Sequence, residues 1–571
     1  MSSRQASTAG AAQAKSEPNG AVMAEDVTSR LASLTRVESL VRNDASQAAN
    51  AEAKMSLSEG LRLYPKAVAW SMAISTCIVM EGFDLVLING LYAQPAFTKR
   101  FGQLSSDGTY QITAAWQSGL SNGALVGEIL GLMVVGIVAE RIGYRKTLII
   151  ALVMMTCFIF LLFFAKSLTM LLIGEILCGI PWGAFQTLTT TYAAEVCPVA
   201  LRAYLTTYVN LCWVIGQFLS SGVLKGVADM EGQSAYKIPY GLQWIWPIPL
   251  IVVMFLAPES PWWLVRKNRK EEAKRNLLRL TSGSKNPDFD ADKTINMMVY
   301  TTELERATQE GVSYWDCFKG VNLRRTEIAM IVWAIQITGG GYIMGYGVYF
   351  YEQAGMSPSN AFSMNLGATG LAFVGTVSSW FLMRWFGRRP LYFWGQIGCI
   401  MCLLLAGFMG LARKSNPDVN WGVGTMIMLY TFVYDLSVGP VCYCLVAEIS
   451  STRLRNKTVV LARNLYNISG IVANILFTHQ LNPDAWNWGT KTCFFWAVSA
   501  IIFATWTWFR LPEPKGRTYA ELDMLFEAKV PARKFKTTKV DAFAAEGVEI
   551  EKKAANEKTE VVYTESSEVK V

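Results

Sequence analysis

Residues 195–202 read Glu195-Val-Cys-Pro-Val-Ala-Leu-Arg202, and residues 448–455 read Glu448-Ile-Ser-Ser-Thr-Arg-Leu-Arg455. Each places a Glu and an Arg seven apart at the end of an apolar run. Two further strings recur in the same order. Glu140-Arg-Ile-Gly143-Tyr-Arg-Lys146 returns, worn, as Arg384-Trp-Phe-Gly387-Arg-Arg-Pro390, and Ala257-Pro-Glu-Ser260 returns as Leu511-Pro-Glu-Pro514. Any one match is within chance. Three in order, at an offset of roughly 250 residues, mark an internal duplication.

Apolar runs of about 20 residues flank these strings, enough to cross a hydrocarbon core of ~30 Å. About twelve occur, centred near Ser75, Ala124, Val153, Gly179, Val214, Val252, Gln336, Phe373, Leu403, Leu429, Ile468 and Ile501. A polar break from Pro258 to Arg325 divides them six and six. Composition agrees: of 571 residues, 52% are hydrophobic and only 17% charged, where a soluble chain carries about a quarter charged. The net charge of +8 is spread over short polar stretches, so no basic face for nucleic acid is expected. The one histidine, His479, ends an apolar run, which excludes a His-rich metal centre and argues against a Ser-His-Asp triad. The 11 cysteines, including the Cys399–Cys402 CxxC, lie mostly in apolar runs and read as packing residues. No metal, no cofactor and no enzymatic constellation is implied.

The expected fold is all-α: a polytopic membrane protein of about twelve transmembrane helices in two pseudo-symmetric six-helix bundles. Residues 1–66 read as a disordered cytosolic tail with a short helix near its end. Residues 67–257 form the first bundle, 258–325 a cytosolic helical linker, 326–511 the second bundle, and 512–571 a cytosolic C-terminal tail. The positive-inside rule puts both termini in the cytosol. The loops and linker flanks on that side carry about 18 Lys and Arg against about 8 on the other.

These strings resemble the sugar porters of the major facilitator superfamily. Gly136 to Lys146 is similar to that family's G-x3-[DE]-R-x-G-R-[RK] loop. Pro258-Glu-Ser-Pro-Trp-Trp-Leu264 is close to PESPRWL, Pro512-Glu-Pro-Lys-Gly-Arg-Thr518 to PETKGRT, and Gly439-Pro-Val-Cys-Tyr443 to the GPxxW of span ten. Glu81-Gly-Phe-Asp84, the stretch from Gly174 to Gly183, and Pro512 to Asp523 further resemble the fungal maltose/α-glucoside:proton symporters. The resemblance implies alternating access between two bundles. It also implies sugar contacts at Asn210, Gln336 and Arg463, which fall at the family's sugar-binding positions. The chain departs from the family where span four carries Glu175 in place of an Arg, and where span seven reads Gln336-Ile-Thr-Gly339-Gly-Gly341 without the usual Asn. Lost side chains there are expected to widen the pocket for a larger sugar.

Ionisable groups at mid-membrane cost roughly 2.5–3.5 kcal/mol each on insertion scales, so each asks for a reason. Spans one, two, four and ten hold Glu81 and Asp84, Glu128, Glu175 and Asp435; span eleven holds the one deep base, Arg463. Five acids against one cation cannot all be ion-paired, and buried acids that exchange a proton are what proton coupling needs. The expected coupling set is Asp84, Glu81, Glu128, Glu175 and Arg463, with Arg463 as the counter-charge of Asp84. Sugar binding is expected from Asn210, Gln336, Tyr346, Tyr443 and Asn467, amide and aromatic groups for an apolar pocket. Glu140, Arg141, Arg145, Glu195, Arg202, Arg384, Arg388, Glu448 and Arg455 lie at cytosolic helix ends and suggest an ion-pair gate between the halves. The implied function is proton-coupled import of maltose or another α-glucoside, by a monomer in the plasma membrane. Its partners are the sugar, protons and the lipid bilayer. A hexose facilitator or symporter, or a transporter-like sugar sensor, stays open.

Overall fold

The computed structural model describes residues 47–48, 51–52, 55–105, 108–282, 289–309, 313–412, 419–451, 454–517 and 519–538. The disorder expected of the two tails falls largely outside them. Eleven helical segments of 20–31 residues are long and apolar enough to cross a bilayer. They are α1 (Pro65–Leu91), α2 (Ala114–Ile142), α3 (Tyr144–Phe163), α4 (Leu168–Val196), α6 (Ser234–Leu256), α7 (Gly320–Gly345), α8 (Pro358–Trp385), α9 (Arg388–Ala412), α10 (Val419–Ile449), α11 (Lys457–Leu481) and α12 (Gly489–Arg510). The twelfth, α5 (Val199–Val227), has 29 residues and completes the first six. Each expected run therefore has its helix. Parity puts the linker and both described ends of the chain on one face, called the linker face below.

Two glycines set the first bundle's geometry. A Cβ on Gly82 of α1 would collide with the Trp213 carbonyl of α5, and one on Gly127 of α2 with the Ile176 carbonyl of α4. Both helix pairs thus pack backbone to backbone, the small-residue contact that membrane helices use in place of a hydrophobic drive. The neighbours of these glycines are Glu81 and Glu128, so the same contacts deliver the two acids to α5 and α4. Gly127→Val should force α2 off α4, an overpacking strain of ~1–3 kcal/mol. The amount of folded protein recovered from the membrane in mild detergent should fall sharply; full recovery would show that α4 gives way at no cost.

The duplicated strings do the same work in both halves. Glu259 caps the start of α3, accepting from Tyr144 N at 3.1 Å and Arg145 N at 3.2 Å. Glu513 caps α9 in the same way, from Arg388 N at 3.0 Å and Arg389 N at 3.1 Å. Carboxylates favour helix N-termini, where unpaired N–H groups and the helix dipole meet them. Burial pushes the Glu259 carboxyl up, against these backbone bonds.

Among its described residues the linker holds three α-helices, Pro261–Arg266, Lys270–Leu280 and Ala291–Gln309. The second buries Ala273, Leu277 and Leu280, one stripe at helical spacing. The short helix expected before α1 is Leu57–Leu63, with a Ser56–Glu59 capping box. The expected C-terminal tail starts as docked chain. Helix Tyr519–Glu527 buries Leu522, Leu525 and Phe526 against the second bundle, and Phe535 follows them in. Arg325 pairs with Asp523 and donates to the Ile449 carbonyl at 2.8 Å, with its guanidinium over Phe526.

Four spans are broken, and three breaks serve contacts. In α6 a 3₁₀ turn at Gln243–Ile245 interrupts the helix before Pro247. In α7 the stretch Ile337–Gly341 unwinds, with Gly340 at φ 99°. Its freed carbonyls are taken by Tyr430 (to Gly339 O, 2.9 Å) and Ser499 (to Thr338 O, 2.7 Å). The span-seven glycines thus bend the helix rather than simply enlarge a pocket. A side chain at 340 would meet Leu403, Tyr430 and Trp496, while only position 339 of the three faces open space. In α10 the helix breaks at Ser437, and the Gly439 carbonyl just past the break accepts from Gln336 Nε2 at 3.3 Å. The fourth break, at Thr76 in α1, is closed locally by its hydroxyl on Ala73 O.

Candidate functional site

The two bundles meet where α2 packs on α11 and α5 on α8. A buried charged joint crosses that seam. Gln186 of α4 donates through Nε2 to Glu81 Oε1 and, at 3.2 Å, to Glu128 Oε2. Its Oε1 accepts from Arg463 Nε of α11 at 2.7 Å. Trp213 Nε1 adds a bond to Glu81 Oε1 at 3.0 Å, and Arg463 Nη2 lies 3.9 Å from the same oxygen. The guanidinium rests against two aromatic rings set edge to face, 4.8 Å from Trp333 and 4.4 Å from Tyr466. Cation–π contacts of this kind hold a charge where water is scarce.

The expected pairing of Arg463 with Asp84 is corrected. Asp84 is completely buried inside the first bundle, where Gln243 donates to its Oδ1 and Glu175 of α4 faces it. The reason is helical geometry. Glu81 and Asp84 share a face of α1, and antiparallel α4 matches Glu81 with Gln186 and Asp84 with Glu175. The 3₁₀ turn of α6 then supplies Gln243, while α11 reaches only the Glu81 level. The acids therefore form two groups: Glu81 and Glu128 in the joint between halves, Asp84 and Glu175 within one half. Asp435 lies apart from both, taking a 3.4 Å bond from Thr376.

Among the expected sugar contacts, Asn467, Gln336 and Tyr443 lie around Arg463 and the α7 and α10 breaks. Asn467, one turn past Arg463, is fully buried with its side-chain amide against the Glu128 carboxylate. Asn210 of α5 is buried with its Nδ2 unpaired. Gln336 holds the α10 break, and Tyr443 packs edge-on to Trp333 at 4.9 Å. Tyr346 belongs elsewhere. Its ring is buried against Tyr92 at 6.0 Å, and its hydroxyl donates to Asn474 Oδ1 (2.6 Å) and lies 2.9 Å from the Ser121 hydroxyl. It is part of a polar seam that closes the face opposite the linker. Ser105 to Asp484 (2.7 Å), Tyr349 to Gln111 (3.2 Å), Asn482 to Ile112 O (3.0 Å) and Asn474 to Asn122 (2.8 Å) all cross between the halves there.

At the linker face the expected gate residues are arranged differently. Glu195 accepts from Arg266 (2.8 Å), Tyr144 (2.9 Å) and Ser260. Burial pulls the Arg266 guanidinium down, but Glu195 and Tyr144 outweigh it and raise it overall. Glu140 pairs with Lys267 at 3.2 Å, and Glu448 with Arg388 at 3.0 Å. Arg145 donates to Phe255 O at 2.5 Å. Arg141 and Arg384 are exposed, and Arg202 has no ion pair with a described residue. The Arg455 side chain lies outside the described residues. Among the described residues, the ion pairs of this group stay within one half. The linker face is held half by half while the opposite face is latched across.

Sequence reasoning missed Gln186, Trp213, Gln243, Trp333, Tyr466 and Asn474. A signal existed for two of them. Gln186 lies eleven residues after Glu175, and Asn474 eleven after Arg463, three helical turns on the same face.

Residues 70–526 match the family model described as "Sugar (and other) transporter". The Saccharomyces cerevisiae maltose permease MAL61 is 44% identical over 508 residues, covering 88% of this chain and 82% of the permease. A Saccharomyces cerevisiae general alpha-glucoside permease is 44% identical over 506 residues, with the same coverage of 88% and 82%. Among solved structures, the proton:xylose symporter XylE bound to 6-bromo-6-deoxy-D-glucose superposes with a TM-score of 0.66 at 19% identity, over 81% of this chain and 99% of that one. The inward-open E. coli XylE gives 0.64 at 19% identity, over 80% and 99%. The chain belongs to the sugar (and other) transporter family, as a multi-pass membrane protein that carries its solute rather than transforming it.

Proposed function

We propose that this chain imports maltose or a related α-glucoside together with protons across the plasma membrane, with both termini cytosolic. The observation that carries the reading is the joint of Glu81, Glu128, Gln186 and Arg463. Two acids and one base meet where the bundles must part, so a proton taken there changes the net charge of the contact that holds them. Asp84 and Glu175 form a second acid pair one turn further along α1, within reach of the same cycle. The buried amides of Asn210 and Asn467 offer donors and acceptors to sugar hydroxyls, and the aromatic faces of Trp333 and Tyr443 offer apolar walls. The α-glucoside class rests on the names of the relatives, and proton coupling draws support from the symporter named among the fold neighbours. In this arrangement the latched face is the outer one. The ion pairs at Glu195 and Glu448 would close the cytosolic face when the halves rock the other way.

The energetics suffice. One proton moving down ~100 mV yields about 2.3 kcal/mol, and one pH unit adds about 1.4 kcal/mol. The test is uptake of labelled maltose, glucose and xylose by the full chain, in cells lacking their own sugar carriers, at two external pH values. Maltose should enter, accumulate and alkalinise the medium, with glucose a poor competitor. Maltose uptake that ignores a collapsed proton gradient would make the protein a facilitator. Sugar binding without uptake would make it a sensor.

A further inference from the structure

Gln186 is committed at both ends of its amide, and each end faces an ion. Nε2 spends its hydrogens on Glu81 and Glu128, and Oε1 takes the Arg463 Nε proton at 2.7 Å. The orientation follows from chemistry. Turned over, the carbonyl oxygen would face two carboxylates and the NH2 group a guanidinium, and no bond could form. The acids belong to one half and the base to the other. Their direct approach, Glu81 to Arg463, is 3.9 Å, longer than a hydrogen bond. The short contacts across this joint run through the Gln186 amide.

We propose that Gln186 is a positioning residue that converts protonation of Glu81 or Glu128 into release of Arg463, uncoupling α4 from α11. The proposal rests on the proton-coupled reading above and assigns its moving part. A proton on the carboxyl oxygen that faces Nε2 sets donor against donor. A proton on the other oxygen, buried and unpartnered in both acids, leaves a neutral acceptor whose bond is roughly half as strong. Either way the acids loosen their hold on the amide, and the amide loses the orientation that presents Oε1 to Arg463. The guanidinium then rests on Trp333 and Tyr466, within its own half. The groups that face the amide and guanidinium from the packed elements are Glu81 (α1), Glu128 (α2), Trp213 (α5), Trp333 (α7), Tyr443 (α10), and Tyr466 and Asn467 (α11). Arg463 is the one base among them, so neutralising either acid changes the balance that the amide spans.

The test uses the full chain in proteoliposomes, with labelled maltose as probe and three proteins: wild type, Gln186→Leu and Gln186→Asn. Leucine removes the amide; asparagine keeps it one methylene too short to reach both partners. Maltose counterflow without a proton gradient should slow but persist in both variants. Accumulation driven by an imposed pH gradient, and protons moved per maltose, should fall by about tenfold or more, the worth of one charge-assisted hydrogen bond. The pH profile of uptake should flatten. Unchanged accumulation and proton ratio in either variant overturn the proposal. So does parallel loss of counterflow and accumulation at normal protein level, because that would make Gln186 a sugar ligand. Should the leucine protein not reach the membrane, the asparagine protein decides by the same outcomes. A wild type that moves maltose without protons, or not at all, refutes the functional reading instead.

Discussion

Arg463→Ala protein, inserted in normal amount, is expected to show no accumulation of maltose against a gradient. Arg463 is mostly buried, with 13% of its side chain exposed, and it touches four partners at once: Gln186, Glu81, Trp333 and Tyr466. Removing one partner of a buried ion pair costs ~3–5 kcal/mol, because the other charge is left behind without compensation. Here two acids are left. The joint across the halves would lose its only cation among the described residues of that cluster, and the Gln186 carbonyl oxygen its donor. Loss on this scale corresponds to at least a hundredfold in the populations of the transport cycle. Initial rates of proton-driven uptake, protein level by immunoblot, and maltose counterflow separate the outcomes. The double variant Glu81→Gln/Arg463→Ala removes opposite charges together. It should restore protein level where the single variant is poorly inserted, yet still fail to accumulate sugar. An Arg463→Ala protein that concentrates maltose as well as wild type would remove this joint from the coupling mechanism.

Linking Ser105→Cys to Asp484→Cys should stop transport almost completely. Ser105 Oγ and Asp484 Oδ1 are 2.7 Å apart on opposite halves at the latched face. Alternating access requires that seam to part. A covalent link there freezes the cycle however intact the binding site is. The background suits the experiment: ten of the eleven native cysteines are buried, and only Cys157 is exposed. Oxidation, or a short thiol-reactive crosslinker, should drive maltose uptake to background in the double variant. Either single variant should keep most of its activity, and a reductant should restore the oxidised double variant. Uptake that survives complete crosslinking would mean that these two loops stay together throughout the cycle.

The sequence alone determined the architecture. Twelve apolar runs, a polar break after the sixth, and three duplicated strings are local features, readable because a bilayer imposes length and apolarity on each span separately. The family followed from the same strings. Glu259 and Glu513 cap matched helices, so the motif and the contact are one fact seen twice. The buried acids and Arg463 were also visible, since a charge inside an apolar run stands out in one dimension. Which charge meets which was not. Glu81 and Asp84 sit three residues apart on one face of α1, and nothing in their spacing says that one will face the other half of the protein while its neighbour turns to Gln243 and Glu175. That choice is made by helix packing, through Gly82 against Trp213 and Gly127 against Ile176, which fix the depth and rotation of four spans at once. Tyr346 likewise reads as a pocket residue until Ser121 and Asn474, from two other spans, claim its hydroxyl. Gln186 carries no charge and so raises no alarm in the sequence. It becomes the centre of the joint because three helices bring two carboxylates and a guanidinium to the two ends of its amide, a coincidence that exists only in three dimensions.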